Sequence, residues 1–199
     1  MNGSTRKVAI IGGSRIPFCR SNTFYADKSN LDLLTAAIDG LVERFDLQGE
    51  QPDEMMAGAV ITHSKDFNLA REAILSSGLS NLTPGITLQQ ACGTSLQGGL
   101  SLAGKIATGQ IDCGIAAGTD TTSDAPIVFG KKFSSRLIKA SQAKSPKQAL
   151  KAFKGFGPGE LKPVTPTNAE TRTGLSMGQH CERKAQEWEI TREDQDQLA

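Results

Sequence analysis

The chain has 199 residues, with 22 Lys and Arg against 21 Asp and Glu, a formal net charge of +1 and 38% hydrophobic residues. This composition is typical of a globular protein with one sizeable core, and the near-neutral charge argues against nucleic acid as the main partner. No apolar stretch approaches the roughly 20 residues that a membrane span requires, so we expect no transmembrane segment.

Residues 1–124 alternate strand and helix signals at short spacing, which predicts one core unit. The predicted strands are Lys7–Ile11, Ala57–Thr62, Gly85–Gln90 and Cys113–Ala117, and the predicted helices are Leu31–Phe45 after an Asn30 cap, Asn68–Ser77 and Thr94–Thr108. Leu96, Leu100, Ala103 and Ala107 share one face of the third helix. An alternating order of this kind predicts an α/β fold, with a mostly parallel sheet and helices on both faces.

The sequence changes character in residues 125–175. Nine basic residues lie between Ala125 and Ala169 against a single acid, Glu160, and four of the eight prolines fall in 146–166. We predict a partly helical, partly irregular excursion from the sheet. Apolar side chains interleave with the lysines and favour an amphipathic cover, namely Phe129, Phe133, Leu137, Phe153 and Phe156.

Residues 176–199 are predicted to be helical again. Ser176–Trp188 has a helical pattern, and Thr191 followed by Glu193 and Asp194 is typical of a helix N-terminus. Because a new helix begins as the sequence ends, we expect a truncated protein or a domain cut from a larger one.

The number and spacing of the cysteines and histidines limit which metal sites and disulfides the chain can form. The residues are Cys19, Cys92, Cys113, Cys181, His63 and His180. No CxxC spacing occurs, so no metal site is expected. The N-terminus carries no evident signal peptide, which makes a disulfide framework improbable and predicts a reducing, cytoplasmic location.

One cysteine lies where a predicted strand meets a predicted helix. In Gln89–Gln97, Cys92 directly precedes the helix N-terminus, where free backbone N–H groups and the helix dipole stabilise a thiolate. The same N–H groups suit the oxyanion that forms when a thiolate attacks a thioester. The alternative is that Cys92 is a small buried hydrophobe, and the local pattern alone does not decide between them.

Five segments of the sequence, in order, resemble the thiolase family of 3-ketoacyl-CoA thiolases and acetyl-CoA acetyltransferases. They are Arg15-Ile-Pro17, Asn68-Leu-Ala-Arg71, Ala91-Cys92-Gly93, Ala116-Ala-Gly118 followed by Ser123, and Gly174-Leu-Ser-Met-Gly178 with Cys181-Glu182 and Thr191-Arg-Glu-Asp-Gln-Asp196. The resemblance covers essentially the whole chain. It implies a thiolase-like layered fold, of which 1–124 is the N-terminal core, 125–175 part of the loop domain and 176–199 the start of its further helices.

The resemblance implies acyl transfer between CoA thioesters through an acyl-cysteine, most similar to the fatty-acid-oxidation branch. Cys92 corresponds to the nucleophile, and Gly93 and Met177 to substrate-binding positions. Coenzyme A is then a substrate and no cofactor is needed. The family's catalytic histidine and second cysteine belong to a second half, so we expect this chain alone to be inactive. Family members are homo-oligomers, and a fatty-acid-oxidation partner subunit is a further implied partner.

Several residues have no catalytic role in this interpretation. His63 is taken as a loop residue and His180 as a helix-surface residue. Cys113 is expected to pack in the core, and Cys19 and Cys181 are given no role. Two positions depart from the family pattern. Asp120 lies where a glutamate is usual, and Ser95 lies where many members have glycine. The larger side chain of Ser95 is expected to narrow the approach to Cys92.

Other interpretations stay open at this point. A ketoacyl synthase that uses an acyl carrier protein shares the fold and the cysteine elbow, and a non-catalytic assembly fragment or subunit needs no complete site. A dinucleotide-binding domain is rejected because Gly12-Gly13 lacks the G-x-G-x-x-G pattern. The basic segment Lys131–Lys162 suits CoA phosphates, an anionic membrane or a partner subunit, or is a solvated surface.

Overall fold

The computed structural model describes residues 5–167 and 169–199. The chain divides into two compact units, Met1–Pro126 and Ile127–Ala199. The described residues form three strands and seven α-helices. The strands are β1 (Glu54–Ala57), β2 (Gly85–Thr87) and β3 (Gly114–Ala116), and the helices are α1 (Asn30–Phe45), α2 (Leu69–Ser76), α3 (Thr94–Ala107), α4 (Lys131–Ser141), α5 (Pro146–Ala152), α6 (Met177–Glu187) and α7 (Arg192–Leu198).

The first unit contains a parallel sheet with the strand order β2-β1-β3. Every residue of the central strand β1 is buried. Met55 and Ala57 belong to the apolar cluster formed with α1 and α2. Met56, which points to the opposite face because side chains alternate along a strand, lies against α3, where a Cβ added at Gly98 would lie 3.5 Å from the Cβ of Met56. Helices therefore cover both faces, which confirms the predicted α/β class.

The helices of the first unit begin and end close to their predicted positions. The predicted Asn30 cap of α1 is wrong: Asn30 is the first helical residue, and Ser29 is the N-cap, in a capping box with Asp32. The Ser29 N–H and hydroxyl lower the pKa of the Asp32 carboxyl. Leu34, Ile38 and Val42 bury the apolar face of α1. Asn68, predicted as the first residue of the second helix, is its N-cap.

The predicted strand at Lys7–Ile11 is wrong. Ile10 and Ile11 are 97% and 87% exposed, and in the described part of the chain no strand pairs with this segment. A strand requires a partner ladder, and this segment is held only near its ends. The guanidinium of Arg6 donates to the carbonyls of Ile106 and Ile111, and that of Arg44 donates to the carbonyl of Gly13.

Two further expectations about the first unit need correction. Leu96 and Leu100 are 69% and 60% exposed, because α3 packs on the sheet through Gly98 and Leu102 instead. Cys113, expected in the core, is exposed and precedes the edge strand β3.

The second unit is partly helical, as predicted for residues 125–175. An aromatic cluster joins α4 to the loop after α5, with ring centroids 5.0 Å apart for Phe129 and Phe133 and 5.9 Å apart for Phe133 and Phe156. Arg136 donates to both oxygens of Glu160, at 2.7 and 3.1 Å, and to the carbonyl of Ala152. These bonds lower the pKa of Glu160 and raise that of Arg136.

The last two helices lie where the sequence predicts them, and the predicted Thr191 cap is confirmed. Ser176 caps α6 with Gln179, and Thr191 caps α7 with Asp194, whose pKa is lowered by the Thr191 hydroxyl and N–H. None of the helices formed by residues 5–167 and 169–199 combines the length and the apolar character needed to cross a membrane.

Candidate active site at the β2–α3 elbow

The chain turns sharply between β2 and α3, and Cys92 lies in this elbow. Ala91 has φ +45°, in the left-handed region that non-glycine residues rarely adopt. The turn is closed by the N–H of Gly93, which donates to the carbonyl of Gln90 at 2.9 Å, and by the N–H of Thr94, which donates to that of Ala91 at 3.2 Å. The elbow therefore presents Cys92 after the end of β2 and directly before Gly93, the N-cap of α3.

Cys92 is exposed, so the interpretation as a buried hydrophobe is wrong. It lies at the N-terminus of α3, a helix of 14 residues whose N-cap is Gly93. Within the described residues, the backbone N–H groups of Ser95 and Leu96 have no hydrogen-bond acceptor. Unpaired N–H groups at a helix N-terminus favour an anion, either a thiolate or an oxyanion derived from a substrate carbonyl.

The strand side of the elbow is packed tightly against the continuation of β1. A Cβ added at Gly58 would lie 1.9 Å from the carbonyl oxygen of Leu88 and 2.8 Å from Cγ2 of Thr94. The N–H of Leu88 donates to the carbonyl of Ala57 at 3.1 Å. Gly58 is therefore required for the elbow to approach β1, and sequence reasoning missed this role.

Two polar side chains fix the segment after β1. Asp120 accepts the N–H groups of Val60 and Ile61 at 2.9 and 2.8 Å, and Gln89 donates to the carbonyl of Val60 at 3.1 Å. The sequence marked Asp120 only as a departure from the family pattern. The structure gives it a backbone-holding role, for which the shorter carboxylate is sufficient. Ser95, the other departure, has its Cβ 3.0 Å from the position of a Cβ added at Gly118.

His63 lies outside the elbow, as expected for a loop residue. Its ring bonds the carbonyl of Asp124 and lies 3.4 Å from that residue's carboxylate. It lines a cavity of about 350 Å³ together with Asn30, Phe67 and Thr87.

The remaining predicted site residues have different surroundings. Gly93 is the neighbour of Cys92 in the elbow, whereas Met177 is the first residue of α6 in the second unit and is 79% exposed. Cys19 and Cys181 are exposed, like Cys92. His180 lies on α6, 3.1 Å from the hydroxyl of Thr173.

The chain is similar to known proteins of one family. The family profile described as "Thiolase, N-terminal domain" matches residues 8–199. A 3-ketoacyl-CoA thiolase of Shewanella pealeana is 36% identical over 198 residues, which cover 100% of this chain and 45% of that protein. A protein of the same name from Shewanella sp. (strain W3-18-1) is 37% identical over the same shares. The chain thus spans less than half the length of these curated relatives.

A solved structure supports the fold. The crystal structure of the Bacillus anthracis acetyl-CoA acetyltransferase superposes with a TM-score of 0.71 at 20% sequence identity. The match covers 98% of this chain and 45% of that chain.

Proposed function

We propose a function from the premise that this chain belongs to the thiolase family. The chain supplies the nucleophilic half of an acyltransferase that cleaves 3-ketoacyl-CoA thioesters, or runs the reverse Claisen condensation of acetyl-CoA. Its role lies in fatty-acid metabolism. The observation that carries the proposal is the exposed thiol of Cys92 at the N-terminus of a 14-residue helix, next to the left-handed Ala91.

The proposed chemistry has two steps. The Cys92 thiolate attacks the keto carbon, the bond between C2 and C3 breaks, and C2 leaves as the enolate of acetyl-CoA, which takes up a proton. The acyl group stays on the sulfur as a thioester. The thiolate of a second CoA then attacks this thioester, and the new acyl-CoA leaves as the thiolate of Cys92 is restored. Dividing the transfer through a covalent thioester suits a polarisable sulfur nucleophile.

Other parts of the proposal follow from the family. Gly93 and Met177 contact the substrate, CoA is a substrate rather than a resident cofactor, and the working enzyme is a cytoplasmic homo-oligomer that joins a fatty-acid-oxidation partner subunit. A polypeptide of these 199 residues alone does not turn over 3-ketoacyl-CoA, because its sequence lacks the family's catalytic histidine motif and its second catalytic cysteine.

The first test measures the reactivity of the four cysteines in one molecule. Iodoacetamide near neutral pH is expected to label Cys92 faster than Cys19, Cys113 and Cys181, because all four are exposed and only Cys92 directly precedes a long helix. Labelling is followed by mass spectrometry of the peptides. If Cys92 reacts no faster than the other three, the elbow does not activate it and the proposal is wrong.

A chimera tests the reaction itself. In it, this chain replaces the matching segment of the Shewanella pealeana enzyme, and acetoacetyl-CoA is the substrate. Cys92→Ser is expected to lower kcat on the order of 10⁴-fold or more, because the covalent intermediate is lost. Turnover of an acyl-carrier thioester but not of acyl-CoA would instead support the ketoacyl synthase interpretation. Turnover by the 199 residues alone would contradict the expected inactivity.

A further inference from the structure

The hydroxyl of Thr94 is engaged with the elbow rather than with its own helix. A Ser or Thr at the N-cap of a helix accepts N–H groups further along the helix, but the N-cap of α3 is Gly93, without a side-chain cap bond, and Thr94 is the first helical residue. Oγ1 of Thr94 instead bonds backwards. It accepts the N–H of Gln90 at 2.9 Å and donates to the carbonyl of Ala91 at 2.7 Å. Both bonds hold the two residues that directly precede Cys92.

The left-handed turn depends on such support. A non-glycine residue with positive φ persists only where its surroundings fix it, and Ala91 has φ +45°. Thr94 is itself 5% exposed. Its Cγ2 methyl lies against Gly58, 2.8 Å from the position of a Cβ added there, so the side chain cannot easily move. The hydroxyl is therefore a buried, fixed link between α3 and the turn.

We infer that Thr94 is a positioning residue, whose hydroxyl holds the elbow so that the sulfur of Cys92 meets the free N–H groups of α3. The inference rests on the proposed function, because it assigns Thr94 a role in orienting the proposed nucleophile. It predicts that the oxygen of Thr94 matters to Cys92 more than its methyl group does.

Two matched pairs of variants separate the hydroxyl from the methyl. The unchanged chain and Thr94→Val both carry the Cγ2 methyl, and only the unchanged chain has the hydroxyl. Thr94→Ser and Thr94→Ala both lack that methyl, and only Thr94→Ser has the hydroxyl. The measured quantity is the iodoacetamide rate of Cys92 divided by the mean rate of Cys19, Cys113 and Cys181 in the same 199-residue chain. This ratio cancels general loosening that affects all four thiols.

We expect Thr94→Val to lower this ratio about fivefold to tenfold, as loss of one to two hydrogen bonds predicts. Thr94→Ser is expected to stay within about twofold of the unchanged chain. Thermal unfolding of each variant is recorded by circular dichroism. Should Thr94→Val not fold, the comparison of Thr94→Ala with Thr94→Ser gives the same test.

The inference is overturned if removing the hydroxyl leaves the ratio unchanged or raises it, or if Thr94→Ser falls as far as the variant without the oxygen. Its failure differs from failure of the proposed function. If Cys92 of the unchanged chain is already no faster than the other cysteines, the proposed function fails. If it is fast and stays fast in both variants without a hydroxyl, only the role of Thr94 is lost.

Discussion

The two units of the chain are stabilised in different ways. In the first unit Leu34, Met55 and Ile74 are almost completely buried, and the strands pair around a central β1. In the second unit, across its described residues, the helices α4 to α7 contain no buried residue. That unit relies on helix caps, a phenylalanine cluster and the Arg136–Glu160 pair. The proposed nucleophile therefore belongs to the unit with a buried apolar core. The basic segment belongs to the unit whose described helices have no buried residue.

The largest expected effect is the loss of stability when a side chain is removed from the core of the first unit. Ile74→Ala is expected to lower the free energy of unfolding by about 2–5 kcal/mol, because it removes a fully buried aliphatic side chain. Leu150→Ala in α5 is the matched control, since Leu150 is 77% exposed, and it should cost less than about 0.5 kcal/mol. Urea unfolding measures both. Equal costs would mean that the two units do not differ in this way.

A smaller effect tests the ion pair of the second unit. The Arg136 guanidinium holds the pKa of Glu160 below its ordinary value. The pair therefore stabilises the fold above the ordinary pKa, and this stability is lost as the pH falls through the lowered pKa. Glu160→Gln should lower Tm at neutral pH and flatten its decline towards acid.

The control for this pair is Glu187→Gln. Glu187 pairs with Lys184, and both side chains are more than half exposed. Exposed pairs of this kind contribute little, so Tm should hardly change. A Tm change as large as that of Glu160→Gln would contradict the view that Arg136 organises the second unit.

The smallest expected effect concerns the basic segment. Lys131, Lys132 and Lys139 lie on α4, exposed and without an ion-pair partner in the described residues. Reversing all three to Glu in the chimera should raise the KM for CoA on the order of fivefold, with kcat little changed, if they attract its phosphates. The triple Gln variant separates lost attraction from new repulsion, and added salt should reduce the effect. An unchanged KM would favour a merely solvated surface.

The sequence predicted the elements that local chemistry determines. The cap at Thr191 is a short-range hydrogen bond to Asp194, and α1 follows from its apolar spacing. Cys92 was found because its position between a strand and a helix is also a local pattern. Two predicted strands extend further than the observed β2 and β3, since the sequence does not show where pairing with β1 ends. The predicted strand Ala57–Thr62 is wrong beyond its first residue, because the observed β1 is Glu54–Ala57.

The sequence could not predict features that depend on distant parts of the chain. Lys7–Ile11 has the composition of a buried strand, yet whether it forms one depends on a partner ladder that its own residues do not encode. The exposed Leu96 and Leu100 form a regular apolar stripe, but the choice of Gly98 and Leu102 as the packed face is made by the shape of β1 and β3. Likewise, the support of the elbow by Asp120 and Gln89 joins residues about 30 to 60 positions away from Val60.

The lack of space for a side chain at Gly58 limits which sequence changes this position accepts. The nearest obstacle to a side chain there is a backbone oxygen, that of Leu88, so no rotamer change in a neighbour can make room for even one methyl group. Any change at this position requires the main chain of residues 88–94 to move at the same time. A single substitution at Gly58 is therefore expected to be costly, and a side chain is expected there only together with a changed main chain near Leu88.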